Sequence, residues 1–478
     1  MTEPCDLGAV QARRLMADKR LSPVELLESC IRRIEAVDGA VNAMVARCFE
    51  RARAEAKRAE AAIMSGDTLG LLHGLPMGVK DLNVTEGLRT TFGSLLYRDH
   101  VPDADERIIA DLRRAGAIVV GKTNTPEFGA GANTLNKVYG ATRNPFDTAL
   151  TCAGSSGGSA VALATGMTPI CTGSDTGGSL RTPASFCGVV SIRGTPGLVP
   201  SDRRALGLTT YNVQGPMARS VADASLMLAA MAGDDSCDPL ATPVDPQQFK
   251  QVDEVDLSSL RIAVSEDLGF APIDNGVRKV FRERVAKFSH LFAECAERDP
   301  DMAHASRVFW LIRGVHFLAS HAERYRDTPD MLGPNVTANV KAALEMTSSE
   351  IAWAYAECTR IYRGFQRFFD EVDVLICPTA AVPPFPVEQL YCAEINGEKL
   401  ENYVKWLDIV GGITLTGHPV VQLPCGLGPT AAPFGLQIVG PRLHSDRFLI
   451  AVAAALERHF ATVPELARPV PDIDALAR

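Results

Sequence analysis

Several features of membrane-bound, secreted and nucleic-acid-binding proteins are missing from this sequence of 478 residues. No apolar run approaches the ~18 residues that would suggest a membrane span. The opening residues, MTEPCDLGAV, lack the basic and apolar regions of a secretory signal. A formal net charge of −9 does not suit binding to nucleic acid or to an anionic membrane. We therefore expect a cytoplasmic protein with neither a nucleic-acid nor a membrane partner.

Cysteine clusters are missing as well. The 12 cysteines are scattered through the chain without a C-x-x-C pair, so no zinc or iron–sulfur centre is predicted. Free and mostly buried thiols fit a reducing compartment. Hydrophobic residues make up 46% of the chain and charged residues 22%, which is ordinary for a globular protein with a sizeable core.

The most informative stretch spans residues 151–183 and contains two loops rich in glycine and serine. These loops are GSSGGS at 154–159 and GSDTGGS at 173–179. Between them, residues 159–166 are predicted to form a short helix and residues 167–172 a strand. Glycine allows positive φ angles and close backbone approach. Serine hydroxyls and free N–H groups in such loops can serve as a nucleophile, a proton relay or an oxyanion hole.

Three interpretations of these loops are open. Glycine and serine commonly make simple turns. A phosphate cradle is the second interpretation, although neither loop continues into the G-K-[ST] of a phosphate-binding loop. The third is a serine hydrolase in which Ser156 occupies the nucleophile position of G-x-S-x-G. That motif requires a preceding strand, and the residues RNPFDTALTCA before it do not resemble one.

Ordered blocks along nearly the whole chain resemble the amidase signature family. Besides the two loops, the similar blocks are GLPMGVKDLNVTEGLRTTFGS, AGAIVVGKTNTPEFG, QGPMARSVADASLMLAAMAG, DVLICPT, LTGHPVVQLPCG and FGLQIVGPR. The resemblance implies an α/β fold with a single large domain. Its expected core is a mixed, mostly parallel β-sheet covered by helices on both faces.

The resemblance also implies a Ser-Ser-Lys catalytic triad. By position, Ser179 is the nucleophile, Ser155 is the relay serine on an unusual cis backbone, and Lys80 is the base. Without the resemblance, Lys80 would be interpreted as a solvated strand residue paired with Asp81. The implied chemistry is hydrolysis of a small-molecule amide through an acyl-enzyme, with no metal or organic cofactor.

Other residues of the two loops are expected to support that triad. Backbone N–H groups of Thr176, Gly177, Gly178 and Ser179 are expected to form the oxyanion hole. Three side chains near the triad, those of Ser156, Asp175 and Arg181, are expected to support it without making or breaking bonds. The family usually has glycine before the serine pair where this chain has Ala153, so the backbone geometry at Ser155 and the role of Cys152 stay open.

Local patterns divide the chain into four expected segments of one amidase domain. Residues 1–69 carry helices, beginning with a capping box at Ser22 to Glu25. Alternating helices and strands at 70–240 form the catalytic core, and 241–372 form a variable helical region that covers the substrate. Residues 373–478 return to the sheet and end in a helix.

Substrate and partners are left open by the sequence. Aromatic residues on the helices of 301–370 favour an apolar or aryl amide, although such residues more often belong to a core. Carbamates, hydrazides and esters suit the same triad, and a homodimer is one possible assembly. A further alternative is an amidotransferase A-type subunit working with a partner. Leu407 stands where that type of subunit has an acidic residue, which favours a stand-alone hydrolase. His418 and His444 are interpreted as structural rather than as members of a serine–histidine triad.

Overall fold

The computed structural model describes residues 3–442 and 445–478. Its strands are β1 Met44–Arg47, β2 Pro76–Lys80, β3 Ile118–Thr123, β4 Leu135–Asn136, β5 Gly140–Ala141, β6 Arg143–Asn144, β7 Asp147–Thr151, β8 Ile170–Asp175, β9 Val190–Arg193, β10 Val213–Ala218, β11 Arg261–Val264, β12 Glu294–Glu297, β13 Val374–Pro378, β14 Glu394–Ile395, β15 Glu398–Lys399, β16 Val420–Leu427 and β17 Pro433–Val439. Its helices are α1 Ala9–Ala17, α2 Pro23–Val41, α3 Phe49–Ser65, α4 Arg107–Arg114, α5 Gly157–Ala164, α6 Arg181–Cys187, α7 Val221–Met231, α8 Asn275–Phe288, α9 Ala305–Asp327, α10 Pro334–Leu344, α11 Ser348–Glu371, α12 Asp408–Thr416, α13 Asp446–Phe460 and α14 Ile473–Leu476. None of the described helices is both long and apolar enough to cross a bilayer.

One sheet of 11 strands runs through the molecule in the order β1-β3-β2-β8-β10-β9-β16-β17-β13-β11-β12. Strands from the beginning, middle and end of the sequence are neighbours in this sheet, which makes the chain a single α/β domain. The sheet is mixed, as expected. Parallel pairs occur between β2 and β3, β2 and β8, β11 and β12, and β11 and β13.

Antiparallel pairs fill the middle of the sheet, so the strand directions are more evenly mixed than the expected mostly parallel arrangement. β10 lies antiparallel to both β8 and β9, and β16 lies antiparallel to both β9 and β17. The physical reason is partly connection length, since the short link between β16 and β17 is long enough for a hairpin but not for a parallel crossover.

Helices cover both faces of the sheet, and the strand residues show this directly. On β3, Ile118 and Val120 belong to one buried cluster, whereas Val119 between them belongs to the other. Successive strand side chains point to opposite faces, so the two clusters lie on opposite sides. Helices α3 and α5 pack into the first cluster, and α4 and α7 into the second. The expectation of a covered sheet is therefore confirmed.

The site is organised by the neighbouring strands β2 and β8. These strands are parallel, with Gly78 opposite Cys171. β2 ends at Lys80 and β8 ends at Asp175. Because parallel neighbours present their carboxyl ends at the same edge, Lys80 and the loop after β8 come together. Helix α5, which follows the first glycine–serine loop, packs against β2 and β8.

The few elements that local sequence patterns located lie within a few residues of their predicted positions; the helix predicted at 159–166 is α5. The capping box at Ser22 is present and α2 begins at Pro23. The strand expected at 167–172 begins later, because the chain turns before β8 at Ile170–Asp175. One expectation was wrong, since β7 at Asp147–Thr151 is a strand that directly precedes the first loop. β7 pairs in a separate hairpin with β6 rather than in the main sheet.

We predict that Ser22→Ala destabilises the fold by about 1 kcal/mol, because the side chain caps α2. Ser22 Oγ accepts the N–H of Val24 at 2.9 Å and donates to Glu60 Oε1 of α3 at 2.5 Å. Urea unfolding followed by circular dichroism should show a lower midpoint. The matched control is Ser65→Ala, which removes an exposed hydroxyl from the last turn of α3. Equal effects of the two changes would contradict the role of the cap.

Candidate active site

Lys80 is fully buried and is surrounded by serine hydroxyls. Its Nζ lies 2.7 Å from Ser155 Oγ, 2.8 Å from Ser156 Oγ and 2.9 Å from Ser174 Oγ. The backbone N–H of Lys80 donates to Thr172 Oγ1 at 2.9 Å, which fixes the end of β2 against β8. A hydroxyl can donate or accept, so these three serines can accommodate the amine with or without its third proton.

Burial lowers the pKa of Lys80 to about 7, and the negative charge of Asp175 opposes this only in part. No described carboxylate forms an ion pair with Lys80. The next residue in sequence, Asp81, lies 4.0 Å from the amine of Lys122 instead. Desolvation without a counter-charge favours the neutral amine. At neutral pH a substantial fraction of Lys80 therefore carries a free lone pair that can accept a proton.

Ser155 lies between Lys80 and the cavity on an unusual backbone. The Gly154–Ser155 peptide bond is cis, and Ala153 before it has a φ of 59°. The carbonyl of Ala153 accepts from Thr134 Oγ1 at 2.7 Å and from the N–H of Thr134 at 3.1 Å. Alanine thus adopts the left-handed conformation here, held by Thr134. Cys152 is buried and its thiol pKa is raised by burial to about 12, which makes it unreactive.

Asp175 fixes the loop that carries Ser179. Its carboxylate accepts from the Arg181 guanidinium at 2.9 and 3.0 Å and from Arg193 at 3.2 Å. It also accepts the backbone N–H groups of Gly178 at 3.0 Å and Leu180 at 3.1 Å. All three charged side chains are fully buried. Burial favours the neutral acid, but the two guanidinium groups outweigh it and hold the pKa of Asp175 well below its usual range.

The hydrogen bond from Gly178 changes the expected oxyanion hole. Because its N–H is directed at Asp175, we omit Gly178 from the proposed donors. Its φ of 98° explains the glycine instead, since the turn requires a conformation that other residues rarely adopt. The N–H groups of Thr176, Gly177 and Ser179 form no hydrogen bond to any residue that the structure describes. Within the described residues, these three donors are therefore unoccupied.

A cavity of about 150 Å³ opens beside the two loops. The loops contribute Ser155, Ser174, Thr176 and Ser179 to its wall. Helix α9 contributes Arg313, His316, Phe317, Ser320 and His321, which share one helix face at i, i+3, i+4, i+7 and i+8 spacing. Phe128 and Gly129 also border it.

A second lysine, Lys122, lies fully buried one strand away from Lys80. Its Nζ donates to the carbonyl of Asn83 and to Thr85 Oγ1, and lies 4.0 Å from Asp81. Burial lowers its pKa to about 8, with Asp81 opposing the shift. Asp81 is thus the partner of Lys122 rather than of Lys80.

Lys122 also belongs to a formal phosphate-loop pattern. Residues 116–123 read GAIVVGKT, which matches G-x-x-x-x-G-K-[ST]. The pattern requires a loop that cradles phosphate, but here most of it is the buried strand β3. The Lys122 amine is already occupied by Asn83 and Thr85. The match is therefore coincidental.

The rival serine–histidine triad is not supported by the contacts of Ser156. Its Oγ accepts from Lys80 and lies 3.4 Å from the backbone of Ser174. His418 contacts Gln366 and packs among Phe365 and Phe369, and His444 lies outside the described residues. Although β7 precedes the loop, the partner of Ser156 is a lysine.

Sequence reasoning did not single out Ser174 or the polar face of α9. Ser174 could have been found, because alternation along β8 and its loop places it on the same side as Thr176. Arg313 and His316 gave no comparable signal. Their spacing along α9 is that of an ordinary core helix, and only the packed structure shows that this face borders a cavity.

Comparison with known proteins agrees with the fold. The amidase family model matches residues 25–449. The chain is 32% identical to an acylamidase of Rhodococcus erythropolis, over 94% of this chain and 95% of the relative. It is 33% identical to the A-type subunit of the glutamyl-tRNA(Gln) amidotransferase of a Picosynechococcus species, over 93% of this chain and 96% of that protein.

A solved bacterial aryl acylamidase of the amidase signature family superposes with a TM-score of 0.89 at 26% identity, covering 96% of both chains. The likeness thus extends over nearly the whole chain in both sequence and fold. The chain belongs to the amidase signature family, and it is an amidase, an enzyme that acts on C–N bonds.

Proposed function

We propose that the chain hydrolyses a small carboxylic amide through an acyl-enzyme on Ser179, with Ser155 as the relay and Lys80 as the base. The observation that carries this proposal is the buried Lys80 amine, which lies 2.7 Å from Ser155 Oγ and has no carboxylate partner among the described residues. A lysine whose pKa lies near 7 can both accept and return a proton at neutral pH.

In the proposed acylation step, Ser179 Oγ attacks the amide carbonyl from the cavity wall. Its proton passes to Ser155 Oγ while the Ser155 proton passes to Lys80 Nζ. The oxyanion that forms is stabilised by the N–H groups of Thr176 and Gly177 and by that of Ser179 itself. A donor of this type typically contributes ~2.7–4 kcal/mol to lowering the barrier.

Collapse of the tetrahedral intermediate breaks the C–N bond. The Lys80 ammonium returns its proton through Ser155 to the departing nitrogen, which leaves as ammonia or an amine. Water then attacks the Ser179 ester with the same relay acting as base, and the carboxylic acid is released. Ser156 and Ser174 hold the Lys80 amine in place during both steps.

The acyl group of the substrate is proposed to pack against Leu82, Phe128 and Phe317 of the cavity wall. The names of the acylamidase relatives fit this assignment. Of the aromatic residues on the helices of 301–370, Phe317 supports an apolar acyl site because it lines the cavity. Phe309 is instead buried against Gly177, and Trp310 lines a separate surface pocket. Carbamates, hydrazides and esters are further substrates for the same triad.

The amidotransferase A-type alternative rests on the relatives of that name. Such a protein would work with a partner and release ammonia from glutamine. Leu407 stands where the A-type subunit has an acidic residue. The next residue, Asp408, forms an ion pair with Lys405 at 3.0 Å and does not line the cavity. No other aspartate or glutamate of the described chain lines the cavity, so none is placed to bind the α-ammonium of glutamine, which favours a stand-alone amidase.

We predict that a fluorophosphonate adds once to the wild-type protein and that Ser179→Ala abolishes the adduct. Ser156→Ala should retain it, and Lys80→Ala should slow its formation by about 100-fold or more because the relay loses its base. Intact-protein mass spectrometry over time measures all four proteins. Loss of the adduct in Ser156→Ala but not in Ser179→Ala would contradict the assignment of the nucleophile.

We predict that the second-order rate of this labelling falls about tenfold for each pH unit below about 7 and levels off above it. The reagent is uncharged, and the base must be deprotonated, so the rate follows the neutral fraction of Lys80. Stopped-flow or quenched labelling between about pH 5 and 9 measures this profile.

Glu106 provides the control for this pH profile. Burial also raises its pKa to about 7, and its carboxylate accepts a hydrogen bond from Asn83 Nδ2 rather than from Lys80. Glu106→Gln should leave the inflection in place, whereas Lys80→Met should give a slow rate that does not depend on pH. If the inflection disappeared in Glu106→Gln, the titrating group would be Glu106 rather than Lys80, and the prediction would be overturned.

A further inference from the structure

The proposed active-site cavity contains one permanently charged side chain, that of Arg313. It projects from α9 beside His316 and Phe317, and only 6% of the residue is exposed. No aspartate or glutamate lines this cavity among the described residues. The other candidate cations are different, since burial lowers the pKa of Lys80 to about 7 and those of His316 and His321 to about 4.

Arg313 is held in position by neutral groups. Its Nε donates to Asn339 Oδ1 at 3.2 Å, and one terminal nitrogen donates to the Tyr403 hydroxyl at 2.9 Å. The guanidinium carbon lies 4.7 Å from the centre of the Phe317 ring. Asn339 and Tyr403 also hydrogen-bond to each other. These contacts orient the guanidinium before any ligand arrives.

The charge of Arg313 is not balanced within the described part of the chain. No carboxylate there forms an ion pair with it, in contrast to Arg181 and Arg193, which share Asp175. The second terminal nitrogen, Nη1, forms no hydrogen bond to a described residue. A buried guanidinium cannot lose its proton and is costly without a partner. A free donor on such a group is suited to an anionic oxygen.

We propose that Arg313 binds a carboxylate of the substrate, so that the enzyme prefers amides that carry a carboxylate and no ammonium group. This inference rests on the proposed function, because it assigns the substrate class of the same cavity. With no acid among the described residues of the cavity wall, an ammonium group has no matching site there. Arginine recognises carboxylates through its planar set of donors.

The test compares amides that differ only in charge. On the acyl side, the monoamides of succinic, glutaric and adipic acid are each paired with the neutral amide of the same chain length. On the amine side, N-acetyl-4-aminobenzoate is paired with acetanilide. We expect kcat/KM to be about 10- to 100-fold higher for the carboxylate in at least one series, as for a hydrogen bond to a charged group. The responding series identifies the side of the scissile bond that faces Arg313.

Glutamine and the monoamide of glutaric acid form the sharpest pair, because they differ only by an α-ammonium group. The monoamide should be the better substrate. A preference for glutamine would overturn the proposal and favour the amidotransferase alternative.

Variants of Arg313 test whether the preference comes from this residue. Arg313→Gln should abolish the preference for the carboxylate, and Arg313→Lys should retain part of it. The control is Arg307→Gln, which removes a charge from the same helix where Arg307 lies on Trp353 and pairs with Glu350. This control should keep the wild-type preference. Thermal unfolding of each variant reports whether it is folded.

A binding measurement separates this proposal from the catalytic one. Calorimetry on Ser179→Ala measures the affinity for each pair without turnover. Tighter binding of the carboxylate, lost with Arg313→Gln in the same background, supports the proposal even if Ser179 proves not to be the nucleophile. Equal binding of charged and neutral amides would overturn it, while leaving fluorophosphonate labelling of Ser179 unaffected.

Discussion

The geometry of the site depends on the buried ion pairs that the carboxylate of Asp175 forms with Arg181 and Arg193. This carboxylate stands at the end of β8 and binds two arginine side chains as well as two N–H groups of the turn that follows. Arg181 in turn reaches Gln437 of β17 and Thr414 of α12. The turn that presents Ser179 is thereby tied to elements far away in the sequence. Breaking such a buried pair leaves an uncompensated charge and typically costs ~3–5 kcal/mol, so the turn has little freedom to reorganise.

The two buried lysines show how small differences in surroundings decide function. Lys122 has a nearby carboxylate, Asp81, and a carbonyl acceptor, and its burial is compensated by a structural network. Lys80 has serine hydroxyls at every contact of its amine and only the more distant charge of Asp175. Burial lowers the pKa of both lysines, and the carboxylate of Asp81 opposes the shift for Lys122. The second arrangement suits the proposed exchange of a proton with Ser155, and the parallel pairing of β2 with β8 places Lys80 there.

The sequence predicted the family and a mixed α/β sheet covered by helices, whereas the catalytic roles of the site residues stay predictions. Resemblance to a family brought Lys80, Ser155 and Ser179 together because their motifs are short and local. The position of β10 between β8 and β9 could not be inferred, since strand order depends on packing over the whole chain. The Lys80–Asp81 pair, which the residues alone would have favoured, is absent from the described structure, because Asp81 lies beside Lys122 of the neighbouring strand β3. Gly178 was assigned as an oxyanion donor because the sequence does not show that its N–H is directed at Asp175.

The buried ionisable side chains near this cavity follow one rule. Each is paired with an opposite charge, becomes neutral, or is compensated when a ligand of opposite charge binds. Asp175, Arg181 and Arg193 compensate one another. Lys80 and the cavity histidines can become neutral, because the pKa values of these groups lie within reach of burial effects. Arg313 cannot follow either route, since its guanidinium stays protonated and its contacts are neutral. The remaining solution is a negative charge that arrives with the substrate. Arg313 would then help to select the substrates that the proposed triad cleaves.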